Sequence, residues 1–194
     1  MATEAGICNS ALAKLGNNRI VSLTEGTPAA SLCLEQYARL RDHLLRLHGW
    51  NFATSRARLA QLSSTPAFGY RYQFALPADW MRTIGVHSAG GAGITDYVTE
   101  SGPAEGRVLR THYSEIYLRY VRRLTDPNVM DPAFREALAW RLAMELAVPL
   151  AKSGSLRDRM ERGFEDAVAV AKSVDGQDDP PQAVPAGDWV TARG

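Results

Sequence analysis

The residues of this chain best suited to acid–base or metal chemistry are four histidines, His43, His48, His87 and His112. His43 and His48 are five residues apart, so they do not share one helix face, which needs a spacing of three or four. No group of His, Cys and carboxylate residues has the spacing of a zinc site. The pattern therefore favours surface or partly buried imidazoles, and we expect neither a metal nor a cofactor.

Glycine dominates a second short stretch, Gly90-Gly91-Ala92-Gly93. A phosphate-binding loop ends in Lys followed by Ser or Thr and leads from a strand into a helix, and this stretch has neither feature. It predicts the flexible tip of a hairpin instead. Because such tips often contact partners, Gly90, Gly91 and Gly93 are candidate partner contacts.

No residue has the surroundings of an activated nucleophile. No Ser lies in a nucleophile elbow, and neither Cys8 nor Cys33 begins a helix. Both cysteines lie among apolar residues of helical patterns, which indicates buried free thiols. A disulfide between them is the alternative if their helices pack together. The sequence supports no active site, and we expect that the protein is not an enzyme.

Arginine supplies most of the positive charge, since only Lys14, Lys152 and Lys172 of the 22 basic residues are lysine. Its guanidinium suits subunit interfaces, although a GC-rich genome would give the same bias. The locally basic stretches contain Arg39, Arg41, Arg46, Arg56, Arg58, Arg119, Arg122 and Arg123. Acidic residues interrupt the first stretch and the net charge is +1. Sequence-specific nucleic-acid binding is therefore disfavoured, whereas a weak contact with phosphate stays open.

Helical patterns occupy the first 49 residues. Thr3 can cap a short helix over residues 3–15, and Thr27-Pro28 begins a second helix that runs to about His48. The second helix carries an apolar stripe formed by Cys33, Tyr37, Leu40, Leu44 and Leu47. This stripe predicts a packing and assembly element.

The character of the chain changes after Gly49. Residues 50–123 lose the helical period and alternate apolar with polar side chains, which predicts an antiparallel region of five or six short strands. Helix returns at Asp131-Pro132, breaks near Ser153 and resumes with Ser155 as the cap. From Val174 the chain is polar and rich in proline, so we expect an extended tail.

These elements predict an α+β fold, in which a four-helix bundle is interrupted by an antiparallel β insertion and followed by an extended C-terminal tail. The expected parts are 1–49 and 131–173 for the bundle, 50–130 for the insertion and 174–194 for the tail. No signal peptide is visible, and no apolar run approaches the ~18 residues of a spanning helix. We expect a soluble protein made in the cytoplasm and without a membrane partner.

Several segments resemble the tail tubular protein A family of tailed bacteriophages, which are head–tail connector adaptors. The resemblance is carried in order by residues 7–16 (ICNSALAKLG), 20–23 (IVSL), 29–60 (AASLCLEQYARLRDHLLRLHGWNFATSRARLA), 68–84 (FGYRYQFALPADWMRTI), 116–150 (IYLRYVRRLTDPNVMDPAFREALAWRLAMELAVPL) and 188–193 (DWVTAR). It covers nearly the whole chain. One departure is Gly49, where the family favours proline, so the rigidity of that corner is in question.

The resemblance implies a non-enzymatic virion protein at the head–tail junction. Such proteins form a ring, commonly of twelve copies, that binds the portal on one side and the tail nozzle or tail tube on the other, with genomic DNA passing through the centre. Tail fibres attach to the ring in some short-tailed phages. Under this interpretation, Trp189 and Arg193 contact partners, while the subunit or channel contacts are Arg39, Arg41, Arg46, Arg122 and Arg123. The alternative is a stand-alone α+β module that binds a cellular protein or nucleic acid.

Overall fold

The computed structural model describes residues 1–102 and 106–178, with helices at both ends of this part of the chain and strands between them. The helices are α1 (Glu4–Lys14), α2 (Pro28–Leu47), α3 (Pro132–Ala151) and α4 (Gly154–Gln177). The strands are β1 (Thr54–Arg58), β2 (Tyr72–Ala75), β3 (Trp80–His87), β4 (Gly93–Ile94), β5 (Tyr97–Gly102), β6 (Gly106–Thr111) and β7 (Tyr117–Arg122). Two 3₁₀ turns, Asn51–Ala53 and Pro127–Val129, precede β1 and α3.

The helices begin where side-chain oxygens can accept the free N–H groups of a first turn. Thr27 accepts from the Ala30 N–H at 3.3 Å, and Asp131 accepts from the Ala133 N–H at 2.7 Å, each with proline next in the chain. The start of α4 corrects the sequence prediction. Ser153 accepts from the Leu156 N–H at 3.2 Å and caps the helix, so Ser155, predicted as the cap, lies inside it.

The prediction of a four-helix bundle is wrong, because one helix is central and the others surround it. α1, α2 and α4 each pack mainly on α3 rather than on one another. Accordingly, α3 buries residues around most of its circumference: Phe134, Ala137, Leu138, Ala139, Leu142, Ala143, Met144, Leu146 and Ala147. In contrast, α4 buries only Met160, Ala171 and Asp175 among its residues. Helix count and amphipathic stripes do not specify this pairing.

The strands form two antiparallel sheets, ordered β1-β7-β3-β4 and β2-β6-β5, with seven strands in the described residues where five or six were predicted. They are not an insertion set apart from a bundle. Met81 of β3 and Val121 of β7 belong to the same buried cluster as the helices. A second cluster lies between the two sheets and includes Phe74, Leu109 and Leu118. The four-stranded sheet therefore packs on helices with one part and on the second sheet with another.

The C-terminal prediction is also corrected. Residues 174–177, expected to begin an extended tail, are the last turn of α4, and Asp175 is buried there. Trp189 and Arg193 lie outside the described residues. Within the described residues, no helix is both long and apolar enough to cross a membrane.

The corner between α2 and β1 is densely packed, which bears on the glycine at position 49. Trp50 is 1% exposed and donates its indole N–H to the Leu44 carbonyl at 3.0 Å. Its ring lies edge-on to Phe134, with ring centroids 5.2 Å apart. These contacts fix the corner without a proline ring at Gly49.

Candidate functional site: a basic cleft on the four-stranded sheet

Two of the arginines predicted to face a neighbour or DNA, the buried Arg41 and the half-exposed Arg123, form ion pairs with one carboxylate of the same subunit. Asp42 Oδ1 accepts from Arg41 Nε at 2.9 Å and from Arg41 Nη2 at 2.8 Å, while Asp42 Oδ2 accepts from Arg123 Nε at 2.9 Å. Arg41 is buried, with 7% of its side chain exposed. Asp42 thus joins α2 to the end of β7, and a contact of either arginine with a partner stays a prediction.

The other three arginines of that prediction differ in their surroundings. Arg46 donates to the Met81 carbonyl at 2.6 Å and lies over the Trp80 ring, so it ties α2 to β3. Arg39 is exposed, hydrogen-bonded to Gln36, and 3.8 Å from a Glu145 carboxylate oxygen. Arg122 is partly buried on β7.

The glycine stretch forms a closed turn between β3 and β4. The Ser88 N–H donates to the Ala92 carbonyl and the Gly91 N–H donates to the Ser88 carbonyl, both at 2.9 Å. Gly91 has a φ of 82°, a conformation that favours glycine, and its carbonyl oxygen is 3.2 Å from His87 Nδ1. Gly90 and Gly93 are exposed. A partner contact at this turn stays a prediction.

A cleft of ≈ 490 Å³ opens beside this turn on one face of the four-stranded sheet. Its polar lining includes Arg56 and Arg58 on β1, Arg119 on β7, His87 at the end of β3, and Gly91 in the turn. We refer to these five residues as the basic cleft. Ala89 and the Tyr117 ring add apolar surface, whereas the side chain of Leu118, also at the cleft, is buried between the two sheets.

The register of β1 and β7 places positive charge against positive charge. Arg56 is directly opposite Arg119 in the antiparallel pair, and Arg56 forms no ion pair with any described residue. Arg119 Nε is buried and has no hydrogen-bond acceptor among the described residues. Opposed like charges cost ~0.2–1 kcal/mol, and an unsatisfied buried donor costs ~1–3 kcal/mol. An anionic group in the cleft would relieve the repulsion between the two guanidinium groups.

One acidic residue limits the positive charge at the rim. Glu115 Oε1 lies 3.1 Å from Arg58 Nε and accepts from the Tyr117 hydroxyl at 2.9 Å. This hydrogen bond to a carboxylate, which favours the protonated phenol, raises the pKa of Tyr117. The anion-binding capacity of the cleft therefore centres on Arg56 and Arg119 rather than on Arg58.

The titratable groups form no candidate metal site in the part of the chain that the structure describes. No group of three His, Cys, Asp or Glu residues there could hold a metal ion. Cys8 and Cys33 are both buried free thiols, as predicted. Their mutual hydrogen bond, together with burial, raises the pKa of the Cys8 thiol, so this thiol is a poor nucleophile.

A buried carboxylate marks the end of the described chain. Asp175 Oδ1 accepts from the Asn51 N–H at 2.8 Å, Asp175 Oδ2 lies 3.2 Å from His48 Nε2, and the Asn51 side chain donates to the Asp175 carbonyl at 2.8 Å. These contacts fasten the last turn of α4 to the corner that precedes β1.

Sequence reasoning identified Arg56, Arg58 and Arg119 as members of separate basic stretches and did not join them. Alternation along β1 places Arg56 and Arg58 on one face, which the sequence does reveal. The pairing of β1 with β7 links residues about sixty positions apart in the chain and has no local signal. Compared with known proteins, the chain matches no family model and no curated protein sequence.

Proposed function

We propose that this chain is a structural virion protein, a head–tail connector adaptor that assembles into a ring between the portal and the phage tail. The observation that carries the proposal is the resemblance described above, which runs in order through nearly the whole chain. DNA passes through the ring in this proposal, and the subunit performs no chemistry. Its partners are further copies of itself, the portal protein, the tail nozzle or tail tube proteins and, in some phages, tail fibres.

Packing within the subunit supports this interpretation. The two longest segments that carry the resemblance, 29–60 and 116–150, meet in the core, where Trp50 and Phe52 contact Phe134 with ring centroids 5.2 and 5.0 Å apart. Segments that depend on each other for packing are the ones that a shared fold would retain. The resemblance therefore falls on residues with a common structural role.

The charge distribution is compatible with a subunit that meets others. In a closed ring each subunit contacts two neighbours through different surfaces. In the basic cleft, Arg56 and Arg119 form no ion pair with a described residue, and the exposed Arg39 lies on a different element, α2. Arginine is enriched at protein interfaces because its fork forms several directed hydrogen bonds.

Assembly can be tested on the purified full-length chain. We expect native mass spectrometry and electron microscopy to reveal a closed ring of about twelve copies, alone or after addition of the portal protein of the same phage. Arg39→Glu should weaken the ring, whereas Lys172→Glu, an equal charge reversal at an exposed site on α4, should not. Monomers and dimers only, in the presence of portal and in assembled particles, would refute the proposal.

The position of the glycine turn supplies a second test. We propose that residues 86–96, which contain Gly90, Gly91 and Gly93, face the tail or its fibres, because the turn projects beyond the paired residues of β3 and β4. A crosslinker placed at Ala89 should then yield products with tail proteins in assembled particles. Products with capsid or portal proteins alone would contradict this orientation.

The alternative function is a stand-alone module that binds a cellular protein or nucleic acid, and the basic cleft is the observation that favours it. The two functions differ in where the protein is found. Co-purification with virions supports the adaptor, whereas recovery only in a cytoplasmic fraction supports the module.

A further inference from the structure

The arginines of the basic cleft lie on the face of the four-stranded sheet that is turned away from the second sheet. In the pairing of β1 with β7, Arg56 is opposite Arg119. Two residues further along β1, Arg58 is opposite Tyr117. Because side chains alternate along a strand, these four point to one side, while Leu118 points to the other side and is buried between the sheets. The open side therefore collects three arginines.

A glycine of β3 makes room on this face of the sheet. Gly85 is opposite Arg119 on the side away from Arg56, so the three residues form one row across the sheet. The His87 ring fills the space that a side chain at position 85 would need, because a Cβ added there would be 3.0 Å from His87 Nε2. The Gly91 carbonyl, 3.2 Å from His87 Nδ1, accepts a hydrogen bond from the ring. The held imidazole thus closes the row beside Arg119.

Two positive charges in this row have no counter-ion in the part of the chain that the structure describes. Arg56 and Arg119 form no ion pair there. Arg58 differs, because Glu115 Oε1 lies 3.1 Å from Arg58 Nε. Arg119 Nε is buried, so an anion in the cleft can reach only the terminal nitrogens of this guanidinium. The charge left over is that of two guanidinium groups, which a dianion balances and a single carboxylate does not.

We propose that the basic cleft binds a doubly charged phosphate group, either free phosphate or the terminal phosphate of a phosphomonoester, between the terminal nitrogens of Arg56 and Arg119. Such a group carries about −1.5 to −2 at pH 7 and has three strong acceptor oxygens. The cleft, at ≈ 490 Å³, has the size of a small-molecule site. It therefore also has room, beside Ala89 and the Tyr117 ring, for the group that carries the phosphate.

Equilibrium dialysis of the full-length chain against radiolabelled inorganic phosphate, at about pH 7.5 and physiological ionic strength, tests the site. We expect saturable binding with a Kd of about 1 mM or tighter, because two charge-assisted hydrogen bonds contribute at least that much. Arg56→Gln and Arg119→Gln should each weaken binding about tenfold or more. Arg162→Gln, an equal loss of charge at an exposed site on α4, should leave it unchanged. Circular dichroism verifies that each variant is folded.

Removal of the carboxylate at the rim should change binding in the opposite direction. Glu115→Gln keeps an oxygen that can accept from the Tyr117 hydroxyl but releases Arg58 from its ion pair. This variant should bind phosphate about two- to fivefold more tightly, which corresponds to the free energy of an exposed ion pair. Unchanged or weaker binding by Glu115→Gln would overturn the proposal. Equal weakening by Arg56→Gln and Arg162→Gln would also overturn it, because binding would then follow net charge.

Competition against the labelled phosphate identifies the source of the group. Stronger displacement by a nucleoside monophosphate than by phosphate indicates a small phosphate ester. Stronger displacement by a 5′-phosphorylated oligonucleotide than by the same oligonucleotide without that phosphate indicates a nucleic-acid end, and displacement by phosphate alone indicates free phosphate. Equal displacement by both oligonucleotides, or no saturable binding of phosphate, would overturn the proposal. Neither the site nor its test requires the ring of the proposed function, so each can fail without the other.

Discussion

Replacing Gly163 with alanine should destabilise the protein, although alanine is the better helix former. Gly163 lies on α4 where this helix crosses Trp140 of α3, and an alanine Cβ would be 2.5 Å from Trp140 Cε3 and 2.8 Å from Trp140 Cη2. The ring cannot retreat freely, because Lys14 Nζ lies 4.3 Å from its centroid on α1. Real Cβ atoms do not approach an aromatic ring so closely, so α4 or Trp140 must shift.

The magnitude follows from three opposing contributions. Overpacking costs ~1–3 kcal/mol, and loss of the Lys14 contact costs ~0.5–1 kcal/mol. Helix propensity returns up to ~1 kcal/mol. We therefore expect a net loss of about 2 kcal/mol, or roughly 4–8 °C in Tm for a chain of this size.

Urea unfolding of two matched variants measures this effect. The control is Gly176→Ala on the same helix, where an added Cβ meets nothing within 4 Å, so its stability should stay equal or rise by up to ~1 kcal/mol. In a Trp140→Leu background, Gly163→Ala should cost much less stability than it does in the unaltered chain. The coupling free energy between the two substitutions should be ~1 kcal/mol or more. Gly163→Ala at or above the stability of the unaltered chain would refute the packing argument.

Three further predictions concern polar groups. The Tyr37 hydroxyl is buried without a hydrogen-bond partner among the described residues. Tyr37→Phe should therefore leave the free energy of unfolding unchanged or raise it by up to ~1–2 kcal/mol in urea titrations. A decrease of more than ~1 kcal/mol would show that this hydroxyl is hydrogen-bonded. Asp175→Ala should cost ~2–3 kcal/mol by the same assay, since it strips the acceptor from the Asn51 N–H, while Asp175→Asn, which keeps an acceptor, should cost less. Hydrogen bonds from the Val21 N–H and the Thr27 hydroxyl lower the pKa of Glu25 below its usual 4.5. Since the pKa is lower in the folded state than in the unfolded state, ionised Glu25 stabilises the fold. This contribution is fully present above the unfolded-state pKa and is lost as the pH falls through the folded-state pKa. An NMR titration in which the Glu25 carboxyl titrates at or above 4.5 would contradict this sign.

The sequence predicted the elements better than their arrangement. Thr27-Pro28 and Asp131-Pro132 each mark a helix start correctly, because a cap and a first-turn proline act within four residues. The choice of Ser155 over Ser153 failed because both serines can accept from a first-turn N–H, and only the path of the backbone selects one.

The predicted arrangement of the helices and strands was wrong for a different reason. The stripe on α2 is apolar whether it packs against a helix or against a sheet. Here Cys33, Tyr37, Leu40 and Leu44 are buried and the helix packs on α3, but Leu47, predicted as part of the stripe, is 41% exposed and Leu45 is buried instead. Arg46 and Asp42 reach β3 and the end of β7. The basic cleft has the same origin, because Arg56 and Arg119 come together only through the pairing of β1 with β7. The periodicity of apolar residues indicates which face of a helix or strand is buried, but not which other element packs against that face.

The central position of α3 has a consequence for synthesis on the ribosome. α2 ends at Leu47 and α3 begins at Pro132, so about 85 residues must be made before the apolar stripe of α2 can find its partner. At a synthesis rate of ~5–20 residues per second, the apolar stripe stays exposed to water or bound to a chaperone for roughly 4–17 s. The hydrogen bond between Asn51 and Asp175, which joins residues 124 positions apart, forms only at the end. The nascent chain is therefore most prone to aggregate in the interval after α2 has emerged and before α3 is complete.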